Sequence, residues 1–294
     1  MIFPHFFLSL LEPSVQTLLV FLKNAPVVFV VMAFFMVWAI FWLPLAVISA
    51  SVLKLQINKS LQPEQKIPLL VSLYLLAPLI IWGFNWLGFG SFADEGLVRN
   101  FSIFASLFLG LGLGILGLIM VFTCQFWLGW CYLETSNIKL IPGILLPISA
   151  VALFVGGIEE LVFRGFLLTT LDQDYPIWLA AVISSLIFAL LHLVWEQQET
   201  IPQLPGLWLM GMVLVVARIA DSNNLGIAWG LHAGWIWAIA TIDTAGLITY
   251  TGKASEWLTG KNQKPLAGLT GVLCVLLTGV FIWCFCANVS LPNS

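Results

Sequence analysis

Gly156-Gly157-Ile158-Glu159-Glu160-Leu161-Val162-Phe163-Arg164-Gly165-Phe166 is the stretch on which the reading of this chain turns. Two adjacent glutamates and an arginine stand in a run that is otherwise apolar. Each charged side chain at the centre of a bilayer costs roughly 2.5–3.5 kcal/mol on the mildest scale. Three of them within six positions must recover that cost from partners, so the cluster marks the place where function is sought.

The surroundings decide that this run lies in lipid. Of the 294 residues, 61% are hydrophobic and only 9% are charged. A water-soluble domain carries about 25% charged residues. Lipid therefore replaces water as the solvent for most of the surface, and only helices or a closed barrel can cross it. Barrel strands alternate apolar and polar residues. Here the apolar runs are continuous and about 20 residues long, the length a helix needs to span the core. The expected fold is all-α, a polytopic membrane bundle of about eight transmembrane helices.

The spans are expected near residues 25–52, 67–87, 101–127, 147–171, 177–197, 205–220, 225–243 and 266–288. Four segments follow: 1–24, 25–140 with the first membrane helices, 141–245 with the polar cluster, and 246–294 with a loop and the last helix. Residues 1–24 lack the basic start and small-residue cleavage site of a signal peptide, and Glu12 and Pro13 interrupt their apolar run. An interfacial amphipathic helix is expected there. Lysines 54, 59, 66, 139, 253, 261 and 264 follow the odd-numbered spans. The positive-inside rule then puts these loops in the cytoplasm and both termini outside. The expected location is the plasma or inner membrane, in contact with lipid.

The net charge is −3, and no basic stripe points to nucleic acid. Cys124, Cys131, Cys274, Cys284 and Cys286 have no Cys-x-x-Cys spacing and read as small buried hydrophobes. Trp127, Trp130 and Trp195 fall at span ends, where membrane-interface anchoring accounts for them. Gly110-Leu-Gly112-Leu-Gly114-Ile-Leu-Gly117 matches a dinucleotide fingerprint formally, but no strand precedes it. Close helix packing through Gly110 and Gly114 is the better reading. Asp172, Asp174, Arg218 and Asp221 are expected at the surface, the two aspartates solvating or capping the end of the fourth span. No His-Glu-x-x-His and no Gly-x-Ser-x-Gly is present.

Within the cluster, Glu160 and Arg164 are four residues apart and share a helix face, so they are expected to pair. Glu159 is turned about 100° away and is free to face a cavity. A desolvated carboxylate there is suited to activate water. His192 and His232 lie in two later apolar runs, and with Glu159 they form a set able to hold a water, with or without a metal. His192 matches the depth of Glu159 only if its helix continues through Glu199, and that continuation is expected.

Glu159-Glu160-x-x-x-Arg164, then Phe188-x-x-x-His192, then His232 in a later helix resemble the CPBP intramembrane proteases. That family includes the type II CAAX prenyl endopeptidases and the abortive-infection and bacteriocin-immunity proteins. The resemblance covers roughly residues 145–245. It implies an intramembrane endopeptidase acting on a membrane-associated or hydrophobic peptide or protein, with Glu159 activating water, Glu160 and Arg164 supporting it, and His192 and His232 as further active-site groups. It also implies a metalloprotease-like centre, for which a divalent metal such as zinc held by Glu159, His192 and His232 is the candidate. The family often carries Asn four residues after the last His; here that position is Ile236. The alternatives are a non-catalytic membrane scaffold or immunity protein on the same fold, and a transporter, which would predict an internal repeat that the sequence does not contain.

Overall fold

A computed structural model describes residues 13–54, 63–98, 101–194 and 197–289. Among them, six helical stretches are long and apolar enough to cross a membrane: Val27–Val52, Gln65–Trp86, Ser102–Trp127, Thr135–Leu171, Ile177–Val194 and Gln197–Ala220. Helices Gly226–Ala245 and Leu269–Val289 bring the bundle to the expected number. The chain is an integral, multi-pass membrane protein.

The helices, in order, are α1 (Pro13–Asn24), α2 (Val27–Val52), α3 (Pro63–Trp86), α4 (Ser102–Trp127), α5 (Ile141–Glu160), α6 (Leu168–Leu171), α7 (Ile177–Leu191), α8 (Gln197–Thr200), α9 (Leu204–Ala220), α10 (Gly226–Ala245), α11 (Glu256–Thr259) and α12 (Leu269–Val289). Residues 1–12 of the expected interfacial segment lie outside the described residues, as does Trp195. Trp127 projects outward with 80% of its surface exposed, as an interfacial anchor does.

The fourth span begins earlier than expected, at Ile141, and Pro147 lies inside the helix instead of at its start. Intramembrane prolines are tolerated where neighbouring groups satisfy the freed backbone. The fifth span also departs from expectation. Helix α7 stops at Leu191, His192 caps it, and His192–Val194 form a 3₁₀ turn. The helix does not run through to Glu199, which sits in the separate four-residue α8. A small element was not foreseen at all. Strands β1 (Cys131–Leu133) and β2 (Ile248–Tyr250) pair antiparallel, tying the loop after α4 to the loop after α10.

The interior is closed by large apolar side chains. Phe34 of α2 packs on Phe166 at 4.6 Å between ring centroids, and Phe84 of α3 meets the same ring at 5.5 Å. The outer surface is equally apolar, with Phe108, Leu146 and Trp178 well exposed. Apolar residues on both faces are what a bundle solvated by lipid requires. Among the cysteines, Cys131 and Cys274 are buried as expected, whereas Cys124 and Cys284 face outward; Cys286 carries no described side chain.

Helix α10 lies between α4 and α5, and α9 lies between α7 and α12. The α4–α10 contact is a small-residue seam. A Cβ on Gly110 would meet the backbone carbonyl of Ile227, and one on Gly230 would meet that of Leu107. Gly114 and Gly234 are in the same close approach, so the glycines bring the two backbones together as the spacing predicts. This seam fixes the depth and rotation of α10, which carries His232.

Candidate functional site

The polar cluster sits where α5 changes its winding. Helix α5 ends at Glu160, and Leu161–Leu167 continue as a π-helix before α6. Such wide turns are rare and concentrate at functional sites. Every residue of the π segment is buried. Three of its carbonyls take additional donors from other helices. Ser184 Oγ of α7 donates to the Phe163 carbonyl at 2.7 Å. Arg218 of α9 donates to the carbonyls of Arg164 and Gly165.

Glu160 and Arg164 are both fully buried, and Arg164 Nη1 lies 3.0 Å from Glu160 Oε1, the pair their spacing predicts. Beyond that bond, Arg164 lies over the Phe188 ring at 4.3 Å from the centroid. A guanidinium over an aromatic face gains electrostatic attraction without needing water. His232 joins the same carboxylate. Its Nδ1 is 2.8 Å from Glu160 Oε1, and its Nε2 is 3.5 Å from Glu159 Oε2. The first is a hydrogen bond; the second is within ion-pair reach and long for a hydrogen bond. Glu159, adjacent in sequence, projects differently and reaches a cavity.

That cavity has a volume of about 720 Å³ and is bounded by α2, α3, α5 with its π segment, and α7. Its wall is almost wholly apolar, and Glu159, Tyr74 and His192 are its polar interruptions beside two indoles. His192 holds its Nδ1 at 2.8 Å from the Phe188 carbonyl. A proton on Nδ1 leaves Nε2 with a lone pair. Phe188 links the two imidazoles: its ring makes edge contacts with His192 at 4.7 Å and His232 at 5.8 Å between centroids. The early end of α7 therefore leaves His192 on the cavity wall, because the cavity itself extends toward that end of the helix.

All five residues singled out from the sequence thus gather around one place, Glu160, Arg164 and His232 beneath it and Glu159 and His192 on the cavity wall. Their mutual geometry is not that of a metal-ligand set. Among the described residues, no three His, Cys, Asp or Glu side chains form a group able to hold a metal. Both nitrogens of His232 already face carboxylates, so Glu159, His192 and His232 as they stand do not fit a three-ligand zinc site.

Three contributors were not read from the sequence. The hydroxyl of Tyr74, on α3, hydrogen-bonds to Glu159 Oε1. A phenol in an apolar run, one of only four tyrosines in the chain, was the available signal. Arg218, expected at the surface, is buried. Besides the π-segment carbonyls it bonds the Asp94 carbonyl at 2.8 Å and Thr169 Oγ1 at 3.0 Å. Its sequence position at a helix end gave no hint that a loop would fold over it. Asp221 is half-buried and accepts from Ser106 Oγ at 2.7 Å and from the backbone N–H of Ile227 at 3.1 Å. Burial pushes its carboxyl upward, against the pull of those two hydrogen bonds. The third contributor is Glu95, in that loop, 2% exposed and bonded by Asn85 Nδ2 at 3.1 Å. Burial pushes its carboxyl up to about 7, against the downward pull of the Asn85 bond and the Arg218 charge. Asp172 and Asp174 remain at the surface as expected, and Asp174 accepts the Val27 N–H at 2.8 Å, capping the start of α2.

A multi-pass helical bundle with a buried Glu-Glu-Arg-His cluster under a membrane cavity defines the class. Residues 141–238 match the family model described as type II CAAX prenyl endopeptidase Rce1-like, a likeness that covers less than half of this membrane protein and supports a CPBP-family assignment for that segment. An uncharacterized 24.3 kDa protein of Escherichia coli is 33% identical over 89 residues, 30% of this chain and 40% of that protein. The alignment thus spans less than half of that relative's length. No solved structure matches the chain.

Proposed function

We propose that the protein is an intramembrane endopeptidase that hydrolyses a peptide bond in a membrane-associated or hydrophobic peptide. The observation that carries the reading is the placement of Glu159: a carboxylate on the wall of an apolar cavity, with His192 on the same wall and a buried Glu160–Arg164–His232 set behind it.

Each residue has a role in this reading. Glu159 accepts a proton from water as the water oxygen attacks the peptide carbonyl. His192, through Nε2, holds that water in line. His232, fixed by Glu160, keeps Glu159 Oε2 in place, and Arg164 balances the charge of Glu160 in a medium where an unpaired carboxylate is costly. The apolar wall accepts a hydrophobic segment and limits water to the reacting molecule, which strengthens each electrostatic contact.

The test is cleavage of an internally quenched hydrophobic peptide by purified protein in liposomes. Glu159→Gln removes the base with little change of shape and is expected to abolish turnover, and His192→Ala to lower it by at least about 10²-fold. Full activity of Glu159→Gln would remove the hydrolase reading and leave a scaffold or immunity role on the same fold.

A further inference from the structure

The cavity wall carries few side chains able to donate a hydrogen bond. The indole N–H of Trp38 is taken by the Leu73 carbonyl at 3.0 Å, and that of Trp42 by Ser72 Oγ at 3.2 Å. His192 uses Nδ1 on the Phe188 carbonyl. Arg164 Nη1 is directed at Glu160, the two nitrogens of His232 face Glu160 and Glu159, and neither residue lines the cavity. Position 236, one helical turn beyond His232, is an isoleucine and offers no donor. Among the described residues, the remaining side-chain donor on the wall is the phenol of Tyr74, already hydrogen-bonded to Glu159.

We propose that Tyr74 is a catalytic residue whose hydroxyl stabilises the oxyanion of the tetrahedral intermediate, an inference that rests on the endopeptidase reading. It comes from α3, outside the family-matching segment 141–238. As the water oxygen bonds to the carbonyl carbon, the C=O π pair moves onto the substrate oxygen and the water proton passes to Glu159. Negative charge thereby leaves Glu159 and appears on the substrate. The phenol, which faced a carboxylate, now faces a neutral acid and a nearby alkoxide, and the charged acceptor makes the stronger bond. On collapse the oxygen pair re-forms C=O, the C–N bond breaks, and Glu159 returns its proton to the leaving amine. Tyr74 keeps its own proton throughout. Its contribution grows as the charge moves, which is the condition for raising kcat and not merely tightening binding.

Tyr74→Phe removes only the hydroxyl. In the liposome assay the expected result is a fall in kcat of about 10²–10³-fold, the usual loss for one oxyanion donor. KM and the melting temperature stay close to wild type. A phosphinic peptide that mimics the tetrahedral intermediate loses affinity in parallel with kcat, while a plain substrate-like peptide does not. Wild-type kcat in Tyr74→Phe, with Glu159→Gln inactive, overturns this inference and leaves the endopeptidase reading standing. A loss of kcat accompanied by an equal change in KM or a lowered melting temperature assigns Tyr74 a structural role and also overturns it. Retained turnover in Glu159→Gln, or no turnover by wild type, removes the endopeptidase reading and this inference together.

Discussion

Gly230→Ala adds a single methyl group at the tightest point of the α4–α10 seam. The added Cβ would collide with the carbonyl oxygen of Leu107 and would lie 2.7 Å from Leu111 N and 2.8 Å from Leu107 C. All three are backbone atoms, so no rotamer change relieves the clash. Restoring ordinary contact requires α10 to withdraw from α4 by on the order of 1 Å. Overpacking of this kind costs about 1–3 kcal/mol, partly offset by the roughly 1 kcal/mol that Ala gains over Gly in a helix. At about 2–4 °C per kcal/mol for a chain of this size, the melting temperature in detergent should fall by several degrees. His232 is two residues further along α10, so the same shift pulls its ring from Glu160 and Glu159, and a displacement of about 1 Å can cost about 10²-fold in turnover. Gly112→Ala is the control: the same substitution two residues from both Gly110 and Gly114, on the other side of the helix, meets nothing within 4 Å. It should be neutral or slightly stabilising. Equal melting temperatures and equal turnover for Gly230→Ala and Gly112→Ala would refute the view that the seam sets the depth of His232.

Two further outcomes are expected. Arg164→Met leaves Glu160 charged and buried, at a cost of about 3–5 kcal/mol, whereas Glu160→Met/Arg164→Met removes both charges and should recover most of the loss; thermal unfolding in detergent measures both, and a single variant as stable as wild type would contradict the pairing. Glu95 is held near 7 against about 4.3 for a free glutamate, so the folded protein binds the extra proton between those values. Stability from this group is full below about pH 4.3 and is lost as pH rises through about 7; Glu95→Gln should flatten that dependence and raise the melting temperature above pH 7, and an unchanged pH profile would argue against a buried, protonated Glu95.

Much of the site was legible because it is written in local spacing. Glu160 and Arg164 pair since four residues close one helical turn, and Glu159 diverges since one residue rotates by about 100°. Gly110 and Gly114 announced a close helix contact by the same periodicity. What could not be read was whatever depends on two distant segments meeting. The end of α7 at Leu191 sets His192 on a wall shared with α2 and α3, and the carbonyls of the π segment 161–167 meet donors from α7 and α9. Arg218 looked like a helix-end surface charge until the loop carrying Asp94 and Glu95 closed over it.

Composition alone named the solvent and therefore the fold class: with so few charges and continuous apolar runs of membrane length, helices satisfy the backbone in lipid. The sequence also determined which residues bear the unusual cost of charge in that solvent. Helix packing alone brings Tyr74, from the first half of the chain, to Glu159 and lets both glutamates share His232. Desolvation acts on single residues and is legible one position at a time, whereas hydrogen-bond partnership requires two side chains to arrive within about 3 Å, and that is fixed by how whole helices pack.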